Sequence, residues 1–314
     1  MPDSPLATSI CGIELEHPLV NGSGTLDALA AGTLGLAAFV TKTVTLHPRE
    51  GNPPVRIGET PSGMVNSIGL ANPGLDAFCD RHLPRLAELG VPLVVSVGGW
   101  SREQYAIAVS RIGAVSGVAA IELNVSCPNV DTGCISIGTD AGETRALLER
   151  CRAETDVPLL AKLSPSVADV SAIALAAAEG GAHGLVLINT VRGMAIDRDT
   201  LRPLLGGGGG GLSGPAVKPV ALHAVYHSYA ATGLPIVGMG GVASAQDCLE
   251  LMAAGARVVG LGTALFRDPA LPARILAELP ALIADYGFAG VEGVTGASQN
   301  LDSKAPPELE RSER

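Results

Sequence analysis

Short apolar runs punctuate this chain at residues 18–20, 37–41, 92–97, 118–123, 158–163, 184–188, 235–239 and 257–261. Their length suits strands, and their continuous apolar character implies a sheet covered on both faces, as in parallel α/β architecture. Between most of them, positions such as Leu75, Phe78, His82, Leu86 and Leu89, or Ile173, Ala176, Ala177 and Gly180, fall at helical spacing and place one face against the sheet. Strand followed by helix is therefore the repeating unit. About eight such units in 314 residues favour a closed TIM (β/α)8 barrel, with an open doubly wound sheet as the second choice. The pattern reads as one domain over residues 1–301, followed by a charged, proline-containing stretch at 302–314 that is expected to fray.

Two interruptions, at residues 44–73 and 127–142, follow predicted strand ends and are rich in Pro, Gly, Asn and Ser. On a barrel such loops lie over the mouth at the carboxyl ends of the strands, where chemistry is done. Residues 206–211 are six consecutive glycines, whose backbone entropy argues for a mobile loop rather than a packed element.

Composition narrows the picture. Hydrophobic residues make up 47 % and aromatics only 3 %, so a large core must be built from Ala, Val, Leu and Ile. A formal net charge of −10 argues against a nucleic-acid backbone as partner. The opening residues lack a basic stretch followed by an apolar one, and no run reaches membrane-spanning length, so a cytoplasmic location away from the membrane is expected. Six scattered cysteines, without zinc-like or iron–sulfur spacing, are expected to be free thiols with no resident metal. His223 and His227 have the spacing of a metal pair but no acidic ligand nearby, and read as a solvated helix face.

The candidate chemistry gathers at strand ends. Glu122, Leu123, Asn124, Val125, Ser126, Cys127, Pro128 and Asn129 close one apolar run with two amides around a thiol. Lys42 and Lys162 each end another run, calling for an anion or electron-rich acceptor nearby, or else a surface position or internal ion pair. Asn66 in the first long loop and Asn189 with Thr190 add further amides and a hydroxyl. Together with Asn124 and Asn129 they suit a ring with adjacent N–H and C=O groups, such as a pyrimidine, unless one serves as a cap or turn residue. Gly238, Gly240 and Gly241 follow one late strand and Gly260, Gly262 and Thr263 the next. Their backbone amides could cradle a phosphate, or the glycines could simply make tight turns.

These motifs, spread over residues 10–269, together resemble the flavin-dependent dihydroorotate dehydrogenases of class 1B. The resemblance implies an FMN-binding barrel in which Cys127 takes a proton from carbon 5 of dihydroorotate while hydride leaves carbon 6 for the flavin. It implies that Lys42, Asn66, Ile68, Gly69, Leu70, Asn124, Asn129, Asn189 and Thr190 surround the substrate. It assigns FMN to Ser23, Gly24, Lys42, Thr43, Asn124, Lys162, Ile188, Gly214, Gly240, Gly241, Gly262 and Thr263, with Lys162 near the pyrimidine end of the flavin. It further implies a homodimer joined to an FAD and iron–sulfur subunit that passes electrons to NAD. Fumarate stays open as an acceptor.

The chain also departs from that pattern. Ser96 stands where the class usually has an asparagine reaching the flavin, and Ile137 where the substrate loop often has an aromatic residue. On sequence grounds a related flavin barrel acting on another dihydropyrimidine, or a noncatalytic flavin-binding paralogue, therefore stays open.

Overall fold

The computed structural model describes residues 4–125 and 137–299. Eight parallel strands form its centre: β1 (Leu19–Asn21), β2 (Phe39–Val40), β3 (Leu93–Gly98), β4 (Val118–Asn124), β5 (Leu159–Lys162), β6 (Gly184–Leu187), β7 (Ile236–Met239) and β8 (Ala256–Leu261). From β2 onward each pairs with the next in chain order, and β8 pairs with β1. All eight coincide with the apolar runs, because a strand buried on both faces has no polar side to break its pattern.

The remaining seam, between β1 and β2, is closed by a parallel bridge of Val20 with Ala38 and by the side chain of Asn21. That amide donates to the Val40 carbonyl at 2.8 Å and accepts from the Val40 N–H at 2.8 Å, replacing two ladder bonds. Below, a hairpin of Thr8–Ile10 with Ile13–Leu15 sends Ile10 and Leu15 into the interior cluster with Val40, Val94, Leu160 and Val258, sealing the amino-terminal end.

Six longer helices wrap the barrel: α1 (Arg102–Gly113), α2 (Ala141–Arg152), α3 (Val170–Glu179), α4 (Lys218–Thr232), α5 (Ala245–Ala254) and α6 (Leu271–Asp285). Ser101, Asp140, Asp169 and Ser244 cap α1, α2, α3 and α5 by accepting backbone N–H bonds, so four βα loops end in a residue that starts the next helix. The helical spacing at residues 75–89 is realised with a π turn over Phe78–His82 between Leu75–Ala77 and Leu83–Ala87. Pro84, in the first turn of the last piece, lacks an N–H and would crowd a regular α turn before it.

Two loops build a layer over the mouth. Strands Val191–Gly193, Gly210–Ser213, Gly63–Asn66 and Ile57–Thr60 form a four-stranded antiparallel cap sheet. This corrects in part the expectation of a mobile glycine loop at residues 206–211: Gly210 and Gly211 lie in a packed strand, while residues 206–209 form the turn and bridge that precede it. A Cβ on Gly206 would overlap the carbonyls of Pro53 and Pro54, one on Gly210 the Asn66 carbonyl, and one on Gly211 the Thr190 side chain. The glycines permit close backbone approach, and the entropy lost in ordering them is offset by sheet pairing. The expected tail at 302–314 lies outside the described residues.

Candidate active site

A cavity of about 780 Å³ opens where the barrel mouth meets the cap sheet. Its size is that of sites that enclose a cofactor or drug-sized ligand. Two elements deliver polar groups to it in ways that simple strand alternation would not.

One is a bulge after β2. Val40 pairs with Val94, but Val44 pairs with Val97, so four steps on one strand answer three on the other. The extra residue breaks the alternation, and Lys42 and Thr43 both line the cavity. Thr41 repairs the ladder, its hydroxyl accepting the Ser96 N–H at 3.1 Å. Gly24, at φ +75°, leaves room for the Lys42 stem, since a Cβ there would sit 2.7 Å from the Lys42 Cδ.

The other is β4, whose inward residues rise in three levels. Ala120 lies in the apolar floor, Glu122 above it, and Asn124 at the cavity. Asn124 Nδ2 donates to Thr43 Oγ1 at 3.1 Å and its Oδ1 accepts from Asn189 Nδ2 at 3.3 Å. Tyr105 on α1 donates its hydroxyl to the Asn124 carbonyl at 2.8 Å, holding the strand end. Beneath these, Ser96 Oγ donates to Glu122 Oε1 at 2.7 Å and lies 3.0 Å from Thr43 Oγ1, which lies 3.2 Å from Ser23 Oγ. Lys162, only 6 % exposed, brings its Nζ to 3.9 Å from Glu122. Lys162 thus takes the internal ion pair that the sequence left as one reading while also lining the cavity.

The loop at residues 66–70 forms the opposite wall. Asn66 Nδ2 donates to the Gly211 carbonyl at 3.3 Å, tying this loop to the cap. Arg49, stacked on the Trp100 ring, donates from Nε to the Gly69 carbonyl at 3.1 Å. Gly69 has φ +70° against Asn52, and Leu70 holds a left-handed φ of +57°, a costly conformation for a branched residue. Ile68, Gly69 and Leu70 all face the cavity.

The far end is built of backbone. Gly214, Gly240, Gly241, Gly262 and Thr263 line it together. A Cβ on Gly240 would meet Ala221 at 2.9 Å, and one on Gly241 would meet Lys218 at 2.7 Å, so the loop lies tight on α4. Asp247 on α5 pins this loop, accepting from the Ala243 N–H at 2.9 Å and the Lys218 ammonium at 2.6 Å. Burial alone would raise the Asp247 carboxyl, but the bonds from Lys218, Ala243 and Ser244 hold it below the ordinary 3.8.

Thus Ser23, Gly24, Lys42, Thr43, Asn66, Ile68, Gly69, Leu70, Asn124, Lys162, Ile188, Asn189, Thr190, Gly214, Gly240, Gly241, Gly262 and Thr263 all line one cavity. Cys127 and Asn129 lie outside the described residues. Ser96 is fully buried below the surface of the site rather than on its wall. Sequence reasoning missed Glu122 as a participant, along with Asn21 and Asp247. The one signal for Glu122 was an acidic residue inside an otherwise apolar strand.

The cavity fits a flavin mononucleotide in its chemistry. Glycine-rich backbone at one end suits a phosphate, and a lysine with amides and hydroxyls at the other suits an electron-accepting ring. Among the described residues no group of three or more His, Cys, Asp or Glu is placed to hold a metal ion, and His223 and His227 are exposed. The described cysteines Cys11, Cys79, Cys151 and Cys248 are free.

Comparison with known proteins gives the same direction. The family model for dihydroorotate dehydrogenase matches residues 5–283. The catalytic subunit of dihydroorotate dehydrogenase B (NAD(+)) from Desulforudis audaxviator is 46 % identical over 297 residues, covering 93 % of this chain and 97 % of that protein. The subunit of the same name from Anoxybacillus flavithermus is 44 % identical over 300 residues, covering 94 % and 96 %. That from Geobacter sp. strain M21 is 42 % identical over 299 residues, covering 93 % and 97 %.

Proposed function

The chain belongs to the dihydroorotate dehydrogenase family, and from that premise we propose that it oxidises dihydroorotate to orotate in pyrimidine synthesis, using FMN held in the cavity described above. The observation that carries this reading is the convergence of the described site residues on one cavity, with amides, hydroxyls and lysines at one end and a glycine-rich backbone at the other. Bound flavin supplies the acceptor for the hydride leaving carbon 6.

The chain's own residues do the rest. Cys127 takes the proton from carbon 5, completing the C5=C6 double bond of orotate. Asn66, Asn124, Asn129 and Asn189 hold the pyrimidine by its N–H and C=O edges, with Thr190 beside them, and residues 68–70 close over it. Lys42 pairs with the substrate carboxylate at the bulge, and its fixed stem across Gly24 limits the entropy lost on binding. Lys162 would hold the flavin ring, and its ammonium would stabilise the negative charge that the ring takes on when reduced.

Two statements concern partners. The relatives are named catalytic subunits, which supports a second subunit for electron transfer here, carrying FAD and an iron–sulfur cluster and delivering electrons to NAD. Exposed Val55, Ile57, Met194, Ile196 and Leu201, in or beside the cap-sheet segments, support self-association as a homodimer. No helix among the described residues is long and apolar enough to cross a membrane, which fits work in the cytoplasm.

The reading is tested by releasing the flavin from denatured protein and by assaying the native protein with dihydroorotate and an artificial electron acceptor. FMN and one orotate per two electrons transferred are expected. Release of FMN without orotate formation would move the assignment to another dihydropyrimidine, an alternative that Ser96 and Ile137 raise.

A further inference from the structure

Glu122 is 1 % exposed, sits inside the barrel above the apolar floor, and has no place in the reaction as described so far. A carboxylate there is costly unless paired and hydrogen-bonded. Both conditions are met: Lys162 Nζ lies 3.9 Å from Oε1, and Ser96 Oγ donates to the same oxygen at 2.7 Å. The strand register explains the meeting. Glu122 stands opposite Ser96 on β3 and opposite Leu160 on β5, two residues below Lys162, so the lysine reaches both the carboxylate and the cavity.

We propose that Glu122 is a positioning residue that sets, from beneath the site, how much positive charge Lys162 presents to the flavin, with Ser96 tuning Glu122 in turn. The inference rests on the reading that Lys162 faces the reducible ring. A full ammonium charge would favour the anionic reduced flavin. The buried carboxylate offsets part of that charge, and the serine hydroxyl, by dispersing the carboxylate's charge, weakens the offset. Ser96 therefore acts on the flavin through two neighbours.

The midpoint potential of the bound flavin tests this in the full-length flavin-loaded protein, with flavin affinity measured alongside to establish an intact cavity. Glu122→Gln is expected to raise the potential by about 30 mV, a tenfold stronger relative hold on reduced flavin. Ser96→Ala is expected to lower it. A loosened site alone would move both variants the same way, so shifts of the same sign overturn the proposal. Lys162→Met should lower the potential. Because the proposed effect of Glu122 runs through Lys162, adding Glu122→Gln in that background should change nothing. A shift that persists without Lys162 overturns the proposal.

The two layers of the argument separate cleanly. If Lys162→Met leaves the potential unchanged, the placement of Lys162 against the flavin fails. If it lowers the potential but Glu122→Gln does not raise it, the role of Glu122 alone fails. Should Glu122→Gln not fold, the sign of the Ser96→Ala shift decides.

Discussion

In the proposed reaction Cys127 is a usable base only as its thiolate, and an ordinary cysteine thiol titrates at about 8.5. Flavin reduction by dihydroorotate should therefore accelerate as pH rises through that value, measured by rapid mixing. Cys127→Ala should lose the rise and slow reduction by about 10²- to 10⁴-fold, the usual worth of a positioned base. A fully active variant with a flat profile would remove this residue from the reaction. At this scale the site was legible where a polar side chain ends an apolar run, as with Lys42, Lys162, Asn124 and Asn189. Glu122 was not, because its importance depends on facing inward, and a continuous apolar strand carries no alternation from which to read that.

Elements behave differently. All eight barrel strands were legible because burial on both faces leaves an uninterrupted apolar run, whereas the cap sheet was not. Its strands are short and glycine-rich, and only their long-range pairing distinguishes them from loops. Replacement tests the difference. Gly211→Ala would push a methyl into Thr190, and overpacking of this kind costs about 1–3 kcal/mol. The expected result is a KM for dihydroorotate raised about tenfold with little loss of flavin. An unchanged KM would mean that the cap yields freely.

The glycine loop at residues 240–243 is an element too. Asp247→Asn removes charge from the bonds to Lys218 and Ala243, and about 2 kcal/mol of stability should be lost, seen as weaker flavin binding and a lower unfolding midpoint. Because the folded-state carboxyl lies below its ordinary 3.8, this support is fully present above that value and is lost as pH falls through the lower folded one. The wild-type advantage over Asp247→Asn should therefore disappear in strong acid.

At the scale of the whole molecule, barrel closure brings residues at the ends of β4, β5, β7 and β8, and just after β1, β2 and β6, to one mouth, so side chains far apart in sequence share a single ligand environment. The barrel could be anticipated from the repeat. Its seam could not, since Asn21 supplies with a side chain what the backbone ladder omits, and no periodicity announces that. The account stands on this assembly being a flavin site that reacts with dihydroorotate. Anaerobic mixing of the flavin-loaded protein with dihydroorotate, followed by absorbance near the flavin maximum, tests it most directly. Loss of the oxidised flavin spectrum is expected on mixing, with one orotate formed per flavin. A spectrum that stays fully oxidised with dihydroorotate in excess would contradict it.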